Sequence, residues 1–401
     1  MNLPVTNSVQ LKIRASSLLL SLFTLYGMNH FLFERLLYFN ELLSLAGLLF
    51  FFNHSFAEGP RFIYPKNVVY RCVLWFLLLG LIYAVLSIVA KTNWYYFLRN
   101  LSIVYSAFSF FLGYHLYSAQ HDFFRKTKKI IYGYALFAFG VRWEQLIDRN
   151  AYAFWFAQVK TNWALQSVVG LVAFYALYVI SYTSLTVVLI LIFVLLMRYL
   201  KTYTQFKLLA FVAVVTFVTI LVVASPHLAL YKTNTGSIFG NVEYVYAQHP
   251  WFSIDPNSSW RLLFWYRILV ENFPQNLLGI GIGTPLLPYV PGNNSTGLPV
   301  DDETLAHVIG THNTFITLFA RFGLVSMLIF AVLYNHILKE FFRFKSYYLN
   351  HRNDGGVFLA FFTLTCVGLF NLLIESVTLA SLYWVSLGFV ARAINLRRYG
   401  V

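Results

Sequence analysis

Residues 225–311 form the longest stretch of the chain that is not a hydrophobic span, and they carry arginines that could bind anions. Arg261 and Trp265 are four residues apart and therefore share one face of a predicted helix. Arg267 and Glu271 have the same spacing, which suits a surface ion pair. One interpretation is an amphipathic helix at the membrane surface whose arginines meet lipid phosphates. For Arg261, a functional role competes with that interpretation.

A glycine-rich segment follows, with Gly279, Gly281 and Gly283 at alternate positions between two prolines. This spacing differs from the dinucleotide-binding fingerprint, and no strand–helix unit surrounds it. Glycine permits backbone conformations and close approaches that other residues do not. The segment therefore predicts a tight turn that brings its backbone close to another group.

The sequence Thr311-His312-Asn313 opens an apolar stretch, so we predict that a membrane-spanning helix begins at His312, at the outer interface. In a regular helix Gly323 lies about 20° from His312 and about 16 Å further along the axis. A glycine at that place leaves room for a neighbouring helix or a lipid tail. A lone histidine at the interface is most often a membrane anchor, and this alternative stays open beside a catalytic one.

Arg321 falls near the middle of the same predicted span, on the opposite side of the helix from His312. An ionisable group there is costly and needs a partner or a watery cavity. We therefore expect Arg321 to belong to a structural ion pair, with Glu375 as the candidate partner.

Composition places these residues in a membrane protein. Of 401 residues, 59% are hydrophobic and 11% are charged, a charged share about half of that in soluble domains. We predict an all-α integral membrane protein with about 11–12 transmembrane helices, since apolar stretches long enough to cross the bilayer recur along the chain. The predicted spans are 15–33, 36–52, 68–90, 95–117, 130–146, 163–181, 183–199, 206–224, 312–337, 356–374 and 377–395. Because their parity fails between residues 147 and 181, residues 151–160 are a candidate short or re-entrant crossing.

The basic residues set the predicted orientation, because they favour the cytoplasmic side. They concentrate in segments 118–129, 198–207 and 337–355 and in the C-terminal tail, whereas acidic residues predominate in 225–311. The N-terminus is therefore predicted to be cytoplasmic, without a cleavable signal peptide, and 225–311 to face outwards. The formal net charge of +14 is thus explained by topology, which argues against nucleic acid as a partner.

Three parts are predicted along the chain. Residues 1–224 supply the N-terminal transmembrane helices, and residues 312–401 supply the C-terminal ones. Between them, residues 225–311 form one large periplasmic loop with short helices, which we expect to be the catalytic loop.

The order of the motifs resembles the bacterial O-antigen ligase and O-antigen polymerase superfamily: Arg261-x-x-x-Trp265, then the glycine segment, then His312-Asn313 with Gly323 eleven residues after the histidine. The motifs lie within residues 255–337, and the hydropathy profile agrees over the full length. The resemblance implies a helical, GT-C-like glycosyltransferase of the bacterial inner membrane, with its active site at the periplasmic face. It also implies inverting transfer of a glycan from an undecaprenyl-diphosphate carrier to an acceptor sugar hydroxyl, without a metal or other cofactor.

Carried over by the resemblance, His312 matches the essential histidine of the family and Arg261 its loop arginine, and both are implied to be catalytic. A neutral histidine can accept the proton of the attacking hydroxyl. An arginine can stabilise the departing diphosphate through charge-assisted hydrogen bonds. The residues implied to shape the loop and the start of the span are Trp265, Gly279, Gly281, Gly283, Asn313 and Gly323.

The sequence departs from the family pattern near Ser184, where the span after a short outer turn usually begins with an arginine and here has none. Another cation must then bind the donor diphosphate. The candidates on the predicted outer side are Arg267, Arg142 and Lys160.

Three functions remain in competition. The first is a polymerase that joins carrier-linked repeat units of O-antigen or a similar surface polysaccharide, with membrane lipids and a chain-length regulator as further candidate partners. The second is the ligase that joins the finished polymer to lipid A-core. The third, of another class, is a transporter or flippase for the lipid-linked oligosaccharide. The absence of an internal repeat and the gathering of polar residues at one interface favour an enzyme over a transporter.

Overall fold

A computed structural model describes residues 39–58, 67–117, 199–235, 277–284, 311–350, 352–369 and 372–399, together with residues 193, 196, 197, 265, 266, 268, 269 and 286. Among these described residues the regular elements are helices, and no strand occurs. The prediction of an all-α integral membrane protein is confirmed. The likeness to GT-C enzymes stays a prediction.

The helices of the described residues are α1 (Phe39–Glu58), α2 (Val68–Val89), α3 (Trp94–Tyr105), α4 (Ser109–Leu116), α5 (Tyr203–Thr235), α6 (Thr314–Arg343), α7 (Lys345–Asn350), α8 (Arg352–Gly368) and α9 (Val377–Tyr399). By length and composition, four stretches within them could cross a membrane: Val68–Val89, Tyr203–Ile220, Thr314–Arg343 and Leu379–Arg398.

Several predicted spans differ from the helices. The span at 95–117 is divided, because a 3-10 turn, Ser106–Phe108, separates α3 from α4. The span at 206–224 is longer than predicted, since α5 continues to Thr235. The predicted spans 15–33, 130–146, 163–181 and most of 183–199 lie outside the described residues, as does the candidate crossing at 151–160. The total number of helices therefore stays a prediction.

Helices α4 and α9 pack closely against each other in the core. A Cβ atom on Gly113 would lie 2.2 Å from the Val385 carbonyl oxygen, and one on Gly388 would lie 2.3 Å from the Phe110 oxygen. Small residues allow such close backbone contact between helices in a membrane, where packing replaces the hydrophobic effect as the force between helices. Asn67 adds a polar tie, because it caps α2 and donates to the Ala391 carbonyl at 2.7 Å.

Helix α6 reverses direction at Gly323, whose backbone has φ 65° and ψ −162°. The ring centroids of Phe315 and Tyr334 are 5.7 Å apart, whereas nineteen residues of straight helix would separate them by about 28 Å. The Ser326 hydroxyl also donates to the Leu318 carbonyl, eight residues earlier, at 3.0 Å. We call α6 the hairpin, with a first arm at 314–322 and a second arm at 324–343. The second arm alone is long enough to cross the bilayer, at about 30 Å.

The prediction of a regular span beginning at His312 is therefore wrong in two respects. The helix begins at Thr314, after the cap Asn313, so His312 precedes it. The first arm then folds back along the second arm, so Gly323 is the point of reversal and not a small residue beneath the histidine. Tyr334 lies eleven residues after the reversal, so the start of the first arm lies about 16 Å along the second arm from Gly323.

The two ends of the helix bundle differ in charge. At what we call the basic end, buried Glu340 pairs with Arg397 and Arg398, each at 2.6 Å. Nearby, the Tyr117 hydroxyl donates to the carboxyl group of Asp354. At the other end, which we call the site end, lie the hairpin reversal, the glycine segment 277–284 and the turn between α8 and α9, of which residues 369 and 372–376 are described.

Candidate functional site

His312 lies in a left-handed turn, with φ 55°, directly before the first arm of the hairpin. A positive φ is uncommon for residues other than glycine, although histidine adopts it more often than most of them. The flanking residues hold it. The Thr311 hydroxyl donates to the Asn313 carbonyl at 2.6 Å and accepts from the Asn313 N–H at 3.1 Å. The side chain of His312 is half-buried.

Asn313 fixes the turn to two further elements. Its side-chain oxygen accepts from the N–H groups of Phe315 and Ile316, so it caps the first arm. Its amide nitrogen donates to the Leu369 carbonyl at the end of α8, at 2.9 Å. The histidine turn is thereby attached to the junction of α8 and α9.

Trp265 ties the arginine–tryptophan motif to the same turn. Its indole N–H donates to the Thr311 carbonyl at 2.7 Å, and its side chain is only 4% exposed. Its ring packs with Ile316 and Ala320 of the first arm and contacts Phe217 of α5. A buried indole N–H needs a partner, and here that partner is the residue before His312.

The turn between α8 and α9 supplies an acidic group, Glu375. Its carboxyl group accepts hydrogen bonds from the hydroxyls of Thr317 and Thr314, both on the first arm. The Thr317 oxygen in turn accepts from the Thr311 N–H at 3.2 Å and lies 2.9 Å from the Thr311 hydroxyl. Burial raises the pKa of the Glu375 carboxyl, while the Thr317 hydroxyl and the Arg321 guanidinium act in the opposite direction.

The glycine segment packs directly on the hairpin reversal. The N–H groups of Ile280 and Gly281 donate to the carbonyls of Ala320 and Arg321 at 2.8 and 2.9 Å. A Cβ on Gly279 would lie 2.4 Å from the Arg321 oxygen, and one on Gly323 would lie 2.8 Å from the Gly279 nitrogen. The prediction that this segment brings its backbone close to another group is confirmed, and that group is the reversal.

The side chain of Arg321 also binds the glycine segment. Its guanidinium donates to the carbonyls of Gly281 and Thr284 at 3.1 and 2.9 Å, and the side chain is fully buried. It also interacts electrostatically with Glu375, as predicted. The desolvation cost of this cation is thus offset by carbonyl dipoles and by a carboxylate.

The residues singled out from the sequence form two groups: Trp265 and Asn313 hold the turn of His312, and Gly279 and Gly281 pack on the reversal at Gly323. Gly283 lies at the edge of the second group, where a Cβ would meet the Thr92 hydroxyl at 2.7 Å. Arg261, Arg267, Arg142 and Lys160 lie outside the described residues, so their roles stay predictions.

Sequence reasoning missed Thr311 and Thr317 and gave Glu375 a different role. Threonine is common in membrane helices, and nothing in its spacing marks a hydroxyl chain. Within the described residues, no group of three or more His, Cys, Asp or Glu is placed to hold a metal ion. The expected independence from metal stays a prediction.

Fold and site together define a helical membrane protein with a hydrogen-bonded polar site at one end of its helices. Residues 167–331 match the family model described as O-antigen ligase. This match confirms the resemblance to the O-antigen ligase and polymerase superfamily and supports membrane glycosyltransferase activity of that type. No curated protein and no solved structure gives a significant match to the chain.

Proposed function

We propose that the protein is a polymerase that transfers an oligosaccharide from an undecaprenyl-diphosphate carrier to the sugar hydroxyl of a carrier-linked acceptor. The observation that carries this proposal is the set of hydrogen bonds that fixes the backbone on both sides of His312. Trp265, Thr311 and Asn313 hold the residues on both sides of it, within the region that matches the family. A transferase needs a base held in one orientation, because misplaced groups lose most of their catalytic effect.

In the proposed mechanism, His312 accepts the proton of the attacking acceptor hydroxyl. The hydroxyl oxygen then forms a bond to the anomeric carbon as the bond to the carrier diphosphate breaks, so the anomeric configuration inverts. Arg261 stabilises the negative charge that grows on the departing diphosphate. Arg267, Arg142 and Lys160 are the candidates for a second cation, in place of the arginine that is missing near Ser184. No metal takes part in this proposal.

The distribution of charge supports the proposed orientation in the bacterial inner membrane. Arg397 and Arg398 gather around Glu340 at the basic end, and basic residues favour the cytoplasmic side. The site end then faces the periplasm, where the predicted loop leads from the end of α5 at Thr235 into the hairpin, and the helices within 1–224 begin from a cytoplasmic N-terminus. A chain-length regulator is a candidate partner of the polymerase.

Purified full-length protein incubated with polyprenyl-diphosphate-linked oligosaccharide tests this function. We expect longer lipid-linked products, equally with and without EDTA, and none from His312→Ala. Absence of products from the wild-type protein, or full activity of His312→Ala, would contradict the proposal.

Ligation of the polymer to lipid A-core is the second candidate, because the matching family model is described as O-antigen ligase. Deletion of the gene separates the two. Loss of a polymerase leaves single repeat units on the lipopolysaccharide. Loss of a ligase leaves bare core, with carrier-linked polymer accumulating.

A further inference from the structure

The turn between α8 and α9 lies outside the region that matches the family, which ends at residue 331, yet it contacts the histidine turn. Asn313 donates to Leu369 at one end of this turn. Thr314 and Thr317 donate to Glu375 at the other. A carboxyl group from a distant part of the chain is therefore connected to the residues that flank His312.

We propose that Glu375 is a positioning residue, which fixes the backbone around His312 through the hydroxyls of Thr317 and Thr311. The proposal rests on the proposed function of His312, and it assigns to the α8–α9 turn a part in the same site. Glu375 itself is not proposed to contact substrate.

The hydrogen bonds have a direction that Glu375 sets. A hydroxyl has one proton to donate, and the Thr317 proton is directed to the Glu375 carboxyl. The Thr317 oxygen is then an acceptor for the Thr311 N–H. The Thr311 hydroxyl is left to hold Asn313 through the carbonyl and the N–H of that residue.

Without the carboxyl acceptor, the Thr317 proton would turn towards the Thr311 oxygen, which lies 2.9 Å away. The Thr311 oxygen can accept this bond beside the one from the Asn313 N–H, so the loss is the link between the first arm and the α8–α9 turn. The left-handed conformation of His312, at φ 55°, would then be stabilised by fewer hydrogen bonds from the surrounding elements. Networks of this kind are worth more than the sum of their separate bonds.

A simpler role for Glu375 is to neutralise the buried charge of Arg321, with which it interacts electrostatically. Glutamine distinguishes the two roles, because its amide oxygen can accept from Thr317 but carries no charge. Positioning predicts that Glu375→Gln keeps activity and Glu375→Ala loses it. Neutralisation predicts that both variants lose activity equally.

The experiment measures transfer by purified full-length variants with polyprenyl-diphosphate-linked oligosaccharide. We expect Glu375→Ala and Thr317→Val to lower kcat by about tenfold to a hundredfold, since displaced catalytic groups lose activity on that scale. KM should stay within about twofold, because substrate contacts are retained. Glu375→Gln and Thr317→Ser should keep kcat within about threefold of the wild type, since each retains the hydrogen bond.

Ser109→Ala is the matched control, because it removes a buried hydroxyl whose partner is Ser44 of α1, away from the hairpin and the histidine turn. It should leave kcat unchanged. The double variant of Glu375→Ala with Thr317→Val should be no worse than Thr317→Val alone, because both changes break one chain of hydrogen bonds.

Amide hydrogen exchange over residues 311–317 gives a second readout that does not depend on activity. Glu375→Ala and Thr317→Val should raise exchange there, and Glu375→Gln should not. An inactive wild-type protein would refute the proposed function, whereas the exchange pattern would still test positioning. Equal losses of kcat in Glu375→Gln and Glu375→Ala, or unchanged exchange in Glu375→Ala, would overturn positioning.

Discussion

The substitution Gly323→Ala tests the hairpin at its reversal. The backbone there has φ 65° and ψ −162°, a region that is almost confined to glycine. An added Cβ would lie 2.3 Å from the Leu277 oxygen and 2.8 Å from the Gly279 nitrogen. Both atoms belong to backbone, so a side-chain rotation cannot relieve the overlap, and the glycine segment must move away from the hairpin.

The expected loss of unfolding free energy in Gly323→Ala has two parts. A side chain in this conformation costs about 1–3 kcal/mol, and forcing an atom into a packed contact costs about 1–3 kcal/mol more. We take the sum as about 3 kcal/mol, and at about 2 °C for each kcal/mol the melting temperature should fall by about 6 °C.

Gly281→Ala is the matched control for backbone strain alone. Its φ of 81° is also positive, but the nearest atom to an added Cβ is the Ser87 hydroxyl at 3.4 Å. The expected cost is then about 1–2 kcal/mol, and the fall in melting temperature about 3 °C.

Thermal unfolding of the purified variants in one detergent, at one scan rate, measures the difference, because unfolding of membrane proteins is often irreversible and depends on that rate. If Gly323→Ala lowers the melting temperature no more than Gly281→Ala, then the contact between the glycine segment and the reversal does not contribute as argued.

Three further results are expected. Cysteines replacing Phe315 and Tyr334, in a variant without the native cysteines, should cross-link with a short bifunctional reagent, because their rings are 5.7 Å apart; a straight helix would hold them about 28 Å apart and prevent it. Trp265→Phe should lower turnover and cost about 1–2 kcal/mol in unfolding free energy, since the Thr311 carbonyl loses its indole donor; unchanged kinetics would contradict this. Because burial raises the pKa of Glu375, its contribution to stability is present at low pH and is lost as the pH rises through the folded-state value. Glu375→Gln should therefore raise the melting temperature more at alkaline than at acidic pH, and an equal change at both would refute the sign.

Hydropathy was sufficient to locate the apolar helices of the described residues, most closely Val68–Val89 against the predicted span 68–90, because apolar length determines what can cross the bilayer. It could not predict the reversal in α6. Apolar residues continue on both sides of Gly323, and glycine is common within membrane-spanning helices. The segment is also long enough to be one tilted span. Only contacts between Phe315 and Tyr334, or between Leu318 and Ser326, distinguish a hairpin from a straight helix.

The candidate site, too, could be predicted from the sequence only in part. Glycines at alternate positions predicted a close backbone contact, because few other reasons place them there. The partner of that contact was not predictable, since Gly323 was assigned to a regular helix. Glu375 was predicted as a partner of Arg321, because a cation within an apolar segment requires one. Its connection to His312 depends on two threonines whose hydroxyls are brought together only by the fold.

The hairpin also explains how non-helical backbone can lie beside apolar helices. Polar backbone groups in such surroundings must find partners within the protein. Thr311 has partners for its N–H, its carbonyl and its hydroxyl, and Asn313 has them for its N–H, its carbonyl and its side chain. The partners come from Trp265, from the first arm and from the α8–α9 turn, so the histidine turn forms only when all three are in place. A straight helix beginning at His312 would need only a cap for its first N–H groups, and it would leave the histidine without a fixed orientation. The reversal at Gly323 is therefore the feature that makes a firmly held histidine possible at this end of the protein.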